Sequence, residues 1–322
     1  MIEPTRVLVL GSAGFIGSAI TQQLLATGAR VFALGRSETT SEDDRIVRVR
    51  GSIENGGLLA EAMAECAQIV YCAGLTTPGT SANDPALEVL GNLLPLARVL
   101  ECSSRFPRRH LVYLSSGGTV FGDFARDADE MTPLRPRSYY GAGKAAAEAL
   151  IHACTSTSDW RATVLRPTNP YGPGQEIAKA FAIVPTLFER ALDGKAFQIW
   201  GDGSAVRDYC YIDDLVSATL TALSSETDSR FKVYNVASGE AISVADLIRA
   251  CERASHRTIR IEYSPSRGVD VAHVSPSSRA IAEDLGWRPQ TPLTEGLART
   301  WSWIARGERG PSTSVPNGAG LQ

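Results

Sequence analysis

Tyr140 and Lys144 stand four residues apart in "SYYGAGK", a spacing that puts a phenol and an ammonium on one face of a helix. A phenol with a pKa of about 10 is a poor base at neutral pH, and a neighbouring ammonium favours its phenolate. The pair therefore reads as a proton-transfer couple acting on a hydroxyl or a carbonyl. Tyr139 is one step off that face and reads as a packing aromatic. Earlier in the chain, "HLVYLSS" (110–116) has the apolar run of a strand buried on both faces and ends in Ser115 and Ser116. Gly117 and Gly118 follow, with no side chain to offer. A hydroxyl at such a strand end would stabilise charge growing on a carbonyl oxygen. Strand alternation turns Ser116 away from the crevice, so Thr119 is expected to serve first and Ser116 second.

A second constellation lies at the N-terminus. In "VLVLGSAGFIGSAI", Gly11, Gly14 and Gly17 join a first strand to a first helix. Glycines there admit a tight turn and let the backbone approach a pyrophosphate, whose charge meets the helix N-terminus. An acid ending the second strand would bind the ribose hydroxyls of NAD, whereas an arginine would pair with the 2′-phosphate of NADP. Here "FALGRSET" supplies Gly35, then Arg36 and Ser37. The expected cofactor is NADP(H), with NAD(H) as the alternative.

These groups need a scaffold. Strands are predicted at 6–11, 30–35, 46–51, 68–74, 110–116 and 161–167, separated by helices near 15–27, 57–65, 85–104 and 141–155. Such alternation predicts right-handed βαβ units and an α/β fold, a Rossmann-type doubly wound parallel sheet. Residues 1–166 form the expected dinucleotide-binding domain. Residues 167–305 form a smaller, discontinuous substrate domain that returns to the main sheet at about 205–238. It opens on the Pro- and Gly-rich "PTNPYGPGQ" and a helix over 177–194, and holds further helices near 213–225, 243–254 and 293–305. Residues 306–322 have little to bury and are expected to be a disordered tail.

Composition bounds the function. At 43% hydrophobic and 21% charged, 322 residues suffice for a full core, and a net charge of −3 favours neither nucleic acid nor an anionic membrane. The six cysteines form no CxxC pair and read as buried thiols of a reduced compartment; the four histidines show no metal-binding spacing, so no metal is expected. No signal peptide or membrane span is evident, and the expected location is cytoplasmic.

With these motifs in place, residues 6–304 resemble the extended short-chain dehydrogenase/reductase family of nucleotide-sugar epimerases, dehydratases and reductases. GxxGxxG at 11–17 and YxxxK at 140–144 match its cofactor and catalytic motifs; "LRPTNPYGPGQ" (165–175), "WGDGSAVRDYCYIDDL" (200–215) and "LGWRPQTPLTEGL" (285–297) are similar to its substrate and C-terminal signatures. The UDP-glucose 4-epimerase-like subgroup is the nearest in pattern. The resemblance implies cofactor contacts from Gly11, Ala13, Gly14, Phe15, Ile16, Gly17, Ser52, Ile53, Ala73, Gly74, Asn92, Ser115, Tyr140, Lys144 and Pro167. It implies substrate contacts from Thr76, Thr119, Asn169, Val184, Arg207, Arg267 and Asp270, with Asn169 and Arg207 on the diphosphate. Family members often dimerise through helices corresponding to 85–104 and 141–155, so a homodimer is expected.

The chain also departs from the pattern. "GSI" replaces the usual "GDI" after the third strand, leaving Ser52 where an acid would touch adenine. The family's catalytic serine or threonine falls on Gly117. The lead expectation is an NADP(H)-dependent reductase of a nucleotide-activated 4-keto hexose, because Arg36 favours the cofactor of net reductions. A nucleotide-sugar 4-epimerase is the alternative, and a catalytically silent dinucleotide-binding sensor the third.

Overall fold

The computed structural model describes residues 5–35, 43–176, 182–226, 229–266 and 271–307. In chain order the first half runs β1 (Arg6–Leu10), α1 (Phe15–Ala26), β2 (Arg30–Gly35), β3 (Ile46–Arg50), α2 (Gly56–Glu65) and β4 (Gln68–Tyr71). It continues through α3 (Pro85–Glu88), a π-turn at Val89–Leu93, α4 (Leu94–Glu101), β5 (His110–Leu114), α5 (Tyr139–Thr157) and β6 (Arg161–Pro167). The second half holds β7 (Asn169–Tyr171), α6 (Ile183–Asp193), β8 (Phe197–Trp200), β9 (Val206–Arg207), β10 (Tyr209–Tyr211) and α7 (Ile212–Ser224). It ends with β11 (Phe231–Val236), β12 (Ile242–Ser243), α8 (Val244–Ser255), β13 (Ile261–Ser264), β14 (His273–Val274), α9 (Arg279–Leu285) and α10 (Leu293–Ala305).

Seven of the strands form one parallel sheet in the order β11-β6-β5-β4-β1-β2-β3. The strands are apolar at successive positions because both faces are covered. Val7, Val9, Val31, Val70 and Val112 face a core shared with Ile20 and Leu24 of α1 and Leu215 and Ala218 of α7. Leu8, Leu10, Phe32, Ile69 and Leu111 face the other, shared with Leu59 of α2, Leu96 of α4 and Ile151 of α5. Strand order reverses between β1 and β4, so a crevice opens at the carboxyl ends of the strands, where ligands of such sheets bind.

The remaining strands form three small sheets: β7 with β10, β9 with β12 and β14, and β8 with β13. Sequence patterning missed β7, β9, β10, β12 and β14, which at two or three residues are too short to show a period. The helix expected from 177 begins at Ile183 as α6; residues 177–181 lie outside the described residues. The helix expected over 85–104 is interrupted by the π-turn. Among the described residues, no helix is long and apolar enough to cross a membrane.

Candidate active site

The β1–α1 turn is shaped by contact. Gly11 has φ of 92°, and a Cβ there would lie 2.6 Å from the Ala73 backbone nitrogen; one on Gly17 would lie 2.1 Å from the Gly11 carbonyl. Only glycine fits both places, so the helix N-terminus comes close against the ends of β1 and β4. That cradle and its exposed donors suit the pyrophosphate of a dinucleotide. Ala13, Gly14 and Phe15 complete the turn, and Ile16 reaches forward into a cleft of about 210 Å³. Cys72, Ala73, Gly74, Thr76, Asn92, Ser115, Ser116, Tyr140, Lys144 and Pro167 line the same cleft. A nicotinamide dinucleotide therefore fits the residues present.

A second cleft, of about 200 Å³, meets the first at Tyr140 and Ser116. Its walls include Thr77, Gly118, Thr119, Asn169, Gln175, Ile183, Val184 and Tyr209. Among its described lining residues none is charged.

Helix α5 delivers the central pair. Ser138 caps it by accepting a bond from the Gly141 amide at 3.1 Å, which starts the helix one residue before Tyr140. Lys144 Nζ donates to the Leu114 carbonyl at 2.7 Å and to the Tyr113 hydroxyl at 3.3 Å, and sits 5.7 Å from the Tyr140 ring centre. Burial drives the lysine pKa down to about 8, opposed by the charges of Glu88 and Glu148.

The expectation that Lys144 would lower the Tyr140 pKa does not hold. Burial pushes the phenol up to about 12, the Glu88 charge adds to that, and a hydrogen bond with Ser116 opposes both. The lysine spends its bonds on Leu114 and Tyr113, and desolvation wins.

The strand-end hydroxyls also differ from expectation. Ser116 is not turned away: it lines both clefts beside Tyr140. Past Leu114 the Ser115 and Gly117 amides still bond the Leu165 and Pro167 carbonyls, and the Ser116 carbonyl accepts from the Thr119 and Val120 amides, so the chain turns directly after Ser116. Ser115 instead donates to buried Glu148. Thr119 Oγ1 is buried with no hydrogen-bond partner. Gly117 is fixed by space, since a Cβ there would lie 2.6 Å from the Arg166 carbonyl.

Other expected residues are placed as follows. Asn169, on β7, donates to the Asp208 carbonyl at 2.7 Å and lines the second cleft with buried Val184. Arg207, on β9, donates to the Val206 carbonyl at 2.8 Å and lines neither cleft. Ser52 accepts from the Glu54 amide at 3.2 Å beyond β3, with Ile53 beside it. Arg36, Ser37, Arg267 and Asp270 lie outside the described residues.

Sequence reasoning missed three groups. Glu88 is buried at the foot of the first cleft. Gln175 Oε1 is buried and unpartnered in the second. Glu148 and Arg166 form a buried ion pair, 2.6 Å apart, behind the strand end. Only the Glu88–Asn92 spacing, one helical turn, could have hinted at the first.

Comparison with known proteins adds an independent line. The family model described as the NAD dependent epimerase/dehydratase family matches residues 7–237. A UDP-glucose 4-epimerase of Mycolicibacterium smegmatis is 33% identical over 307 residues, covering 92% of this chain and 97% of its own. The crystal structure of a Thermotoga maritima UDP-glucose 4-epimerase with UDP-glucose superposes with a TM-score of 0.88 at 27% identity, covering 94% and 99% of the two chains. A Thermus thermophilus UDP-glucose 4-epimerase in complex with NAD gives a TM-score of 0.85 at 30% identity, covering 94% and 100%.

Proposed function

The chain belongs to the NAD dependent epimerase/dehydratase family, within the extended short-chain dehydrogenases/reductases, and from that premise we propose that it is a nucleotide-sugar 4-epimerase. The observation that carries this reading is the two-cleft arrangement, with Tyr140 and Ser116 lining both clefts where they meet. A 4,6-dehydration would need a further acid and base to remove water. The described residues lining the second cleft include no Asp or Glu, so that branch of the family is disfavoured.

The bound dinucleotide supplies a site that takes a hydride from the sugar C4 and returns it. Tyr140 exchanges a proton with the C4 oxygen, and Ser116 stands beside it where the two clefts meet. Lys144, held by the Leu114 carbonyl, places its ammonium 5.7 Å from the Tyr140 ring centre. Thr119 and Gln175 receive hydroxyls of the sugar, and Asn169, in the same cleft, serves its diphosphate. Arg267 and Asp270 serve the nucleotide. Val184 and Pro170 give the sugar apolar walls against which a 4-keto form can present either face.

A reductase of 4-keto sugars is the second reading. Arg36, the residue directly after β2, favours NADP(H), and a phenol pushed up to about 12 is the proton-donating form. Arg36→Ala is expected to weaken NADPH binding about tenfold while leaving NADH binding unchanged, read by fluorescence titration. A homodimer through α3–α4 and α5 is supported by the exposed Val89, Leu90 and Leu150.

The deciding experiment offers the chain UDP-, dTDP- and GDP-hexoses and their 4-keto forms, and follows nicotinamide absorbance together with product stereochemistry. An epimerase turns over many equivalents with no net absorbance change, whereas a reductase consumes reduced cofactor in step with product. Tyr140→Phe should lower the rate about a thousandfold in either case. Absence of turnover on every sugar overturns both readings.

A further inference from the structure

Glu88 is 3% exposed, at the end of α3, and no ion pair to it is formed among the described residues. Its two carboxylate oxygens are held by neutral donors: the Thr76 hydroxyl and the Asn92 amide, the latter at 2.8 Å. Asn92 is itself fixed, because its Oδ1 accepts from the Leu75 amide at 2.8 Å. Both donors line the first cleft, so the carboxylate stands one side chain behind its wall. On α5 the carboxylate presses against Gly143, where a Cβ would lie 2.2 Å from Glu88 Oε1. Gly143 is the residue before Lys144, so the helix has given up a side chain to admit this charge.

A buried carboxylate with only neutral donors is costly unless something nearby repays it. The charged and titratable groups around it are few. Tyr140 and Lys144 face it from α5 and Tyr113 from β5, and its charge raises the pKa of all three. Glu148, the other acid acting on Lys144, is already paired with Arg166. Lys144 is thus the cation that Glu88 balances, and a positively charged ring in the same cleft would be a second.

We propose that Glu88 is the counter-charge of the dinucleotide cleft, offsetting Lys144 and the cationic ring of an oxidised nicotinamide, and so favouring the oxidised over the reduced cofactor. Glu88 acts through the field and through Asn92 and Thr76, as a positioning residue. The inference rests on dinucleotide use of the cleft and is independent of which sugar is bound or which reaction follows.

The test reads binding, not turnover. Dissociation constants for the oxidised and reduced forms of NAD and NADP are measured by calorimetry on the wild-type chain and on Glu88→Gln. Whichever dinucleotide the wild type binds more tightly is used for the comparison. The ratio of oxidised to reduced constants should rise roughly tenfold in Glu88→Gln, with the reduced-form constant nearly unchanged. Lys144→Met, which leaves Glu88 unbalanced, should move the same ratio in the opposite direction, and it carries the test if Glu88→Gln does not fold. A Glu88→Gln variant that weakens both forms by one factor has lost only structure and overturns the proposal, as does a Lys144→Met ratio that stays or rises. A wild type that binds neither dinucleotide overturns the reading of the cleft as well; an unmoved ratio in a chain that binds overturns Glu88 alone.

Discussion

On the dinucleotide side of Tyr140, Lys144, Glu88, Asn92, Thr76 and Ser115 all hold one another or the backbone in defined hydrogen bonds, whereas on the sugar side Thr119 Oγ1 and Gln175 Oε1 are buried with no partner. One wall is charged and internally satisfied; the other is neutral and keeps spare acceptors. A buried polar atom without a partner costs roughly 1–3 kcal/mol, which the fold tolerates where a ligand hydroxyl makes the missing bond. The first side is complete in itself, and the second leaves acceptors for a ligand to meet.

The contrast can be broken most forcefully at Glu148. Glu148→Gln leaves buried Arg166 unpaired and should cost about 3–5 kcal/mol of stability, seen in urea or thermal unfolding. A variant as stable as wild type would show that the charged side is not a rigid framework.

A smaller effect is expected at the far end of β5. Burial, with the nearby Arg161 charge, lowers the His110 pKa to about 4. The unfolded chain, titrating at about 6.5, binds a proton that the folded chain refuses, so stability falls as pH drops from about 6.5 towards 4. The loss should reach roughly 2–3 kcal/mol, and His110→Gln should flatten it. If the flattened variant still loses dinucleotide binding in that window, the acid sensitivity belongs to the cleft and not to the sheet.

The smallest effect separates the sides most sharply. Thr119→Val should leave the melting temperature unchanged or raised, because it removes an unsatisfied atom, whereas Gln175→Ala also loses the Nε2 bond to the Pro170 carbonyl at 3.1 Å and should lower it slightly. Each should raise the KM for the nucleotide sugar about fivefold, the worth of roughly one hydrogen bond. A drop in stability without a change in KM would make both groups structural and erase the contrast.

Much of the dinucleotide side was legible in the sequence because it is local. The glycine turn, the Tyr140–Lys144 spacing and the serine-ended strand each lie within a few residues and obey the periods of strand and helix. Glu88 was not legible, since its role depends on a π-turn that interrupts the helix and on Gly143 from another element. The Glu148–Arg166 pair joins α5 to β6 and has no signature in either. On the sugar side, Gln175 sits in a Pro- and Gly-rich loop without a period, and the placement of Ser116 and Thr119 depends on a turn closed on the Ser116 carbonyl. The smaller sheets escaped because two- and three-residue strands are defined by their partners.

Gly117 carries one more consequence. Its amide bonds the Pro167 carbonyl at 2.8 Å, and the Ser115 amide bonds the Leu165 carbonyl at 2.7 Å, so the backbone continues alongside β6 past the end of β5. That closure takes up the volume a side chain would need. Reinstating a serine at 117 would wedge the two strands apart before it could offer a hydroxyl. A hydroxyl for this site is therefore supplied from Ser116 and Thr119, on either side of a backbone that leaves residue 117 no room for one.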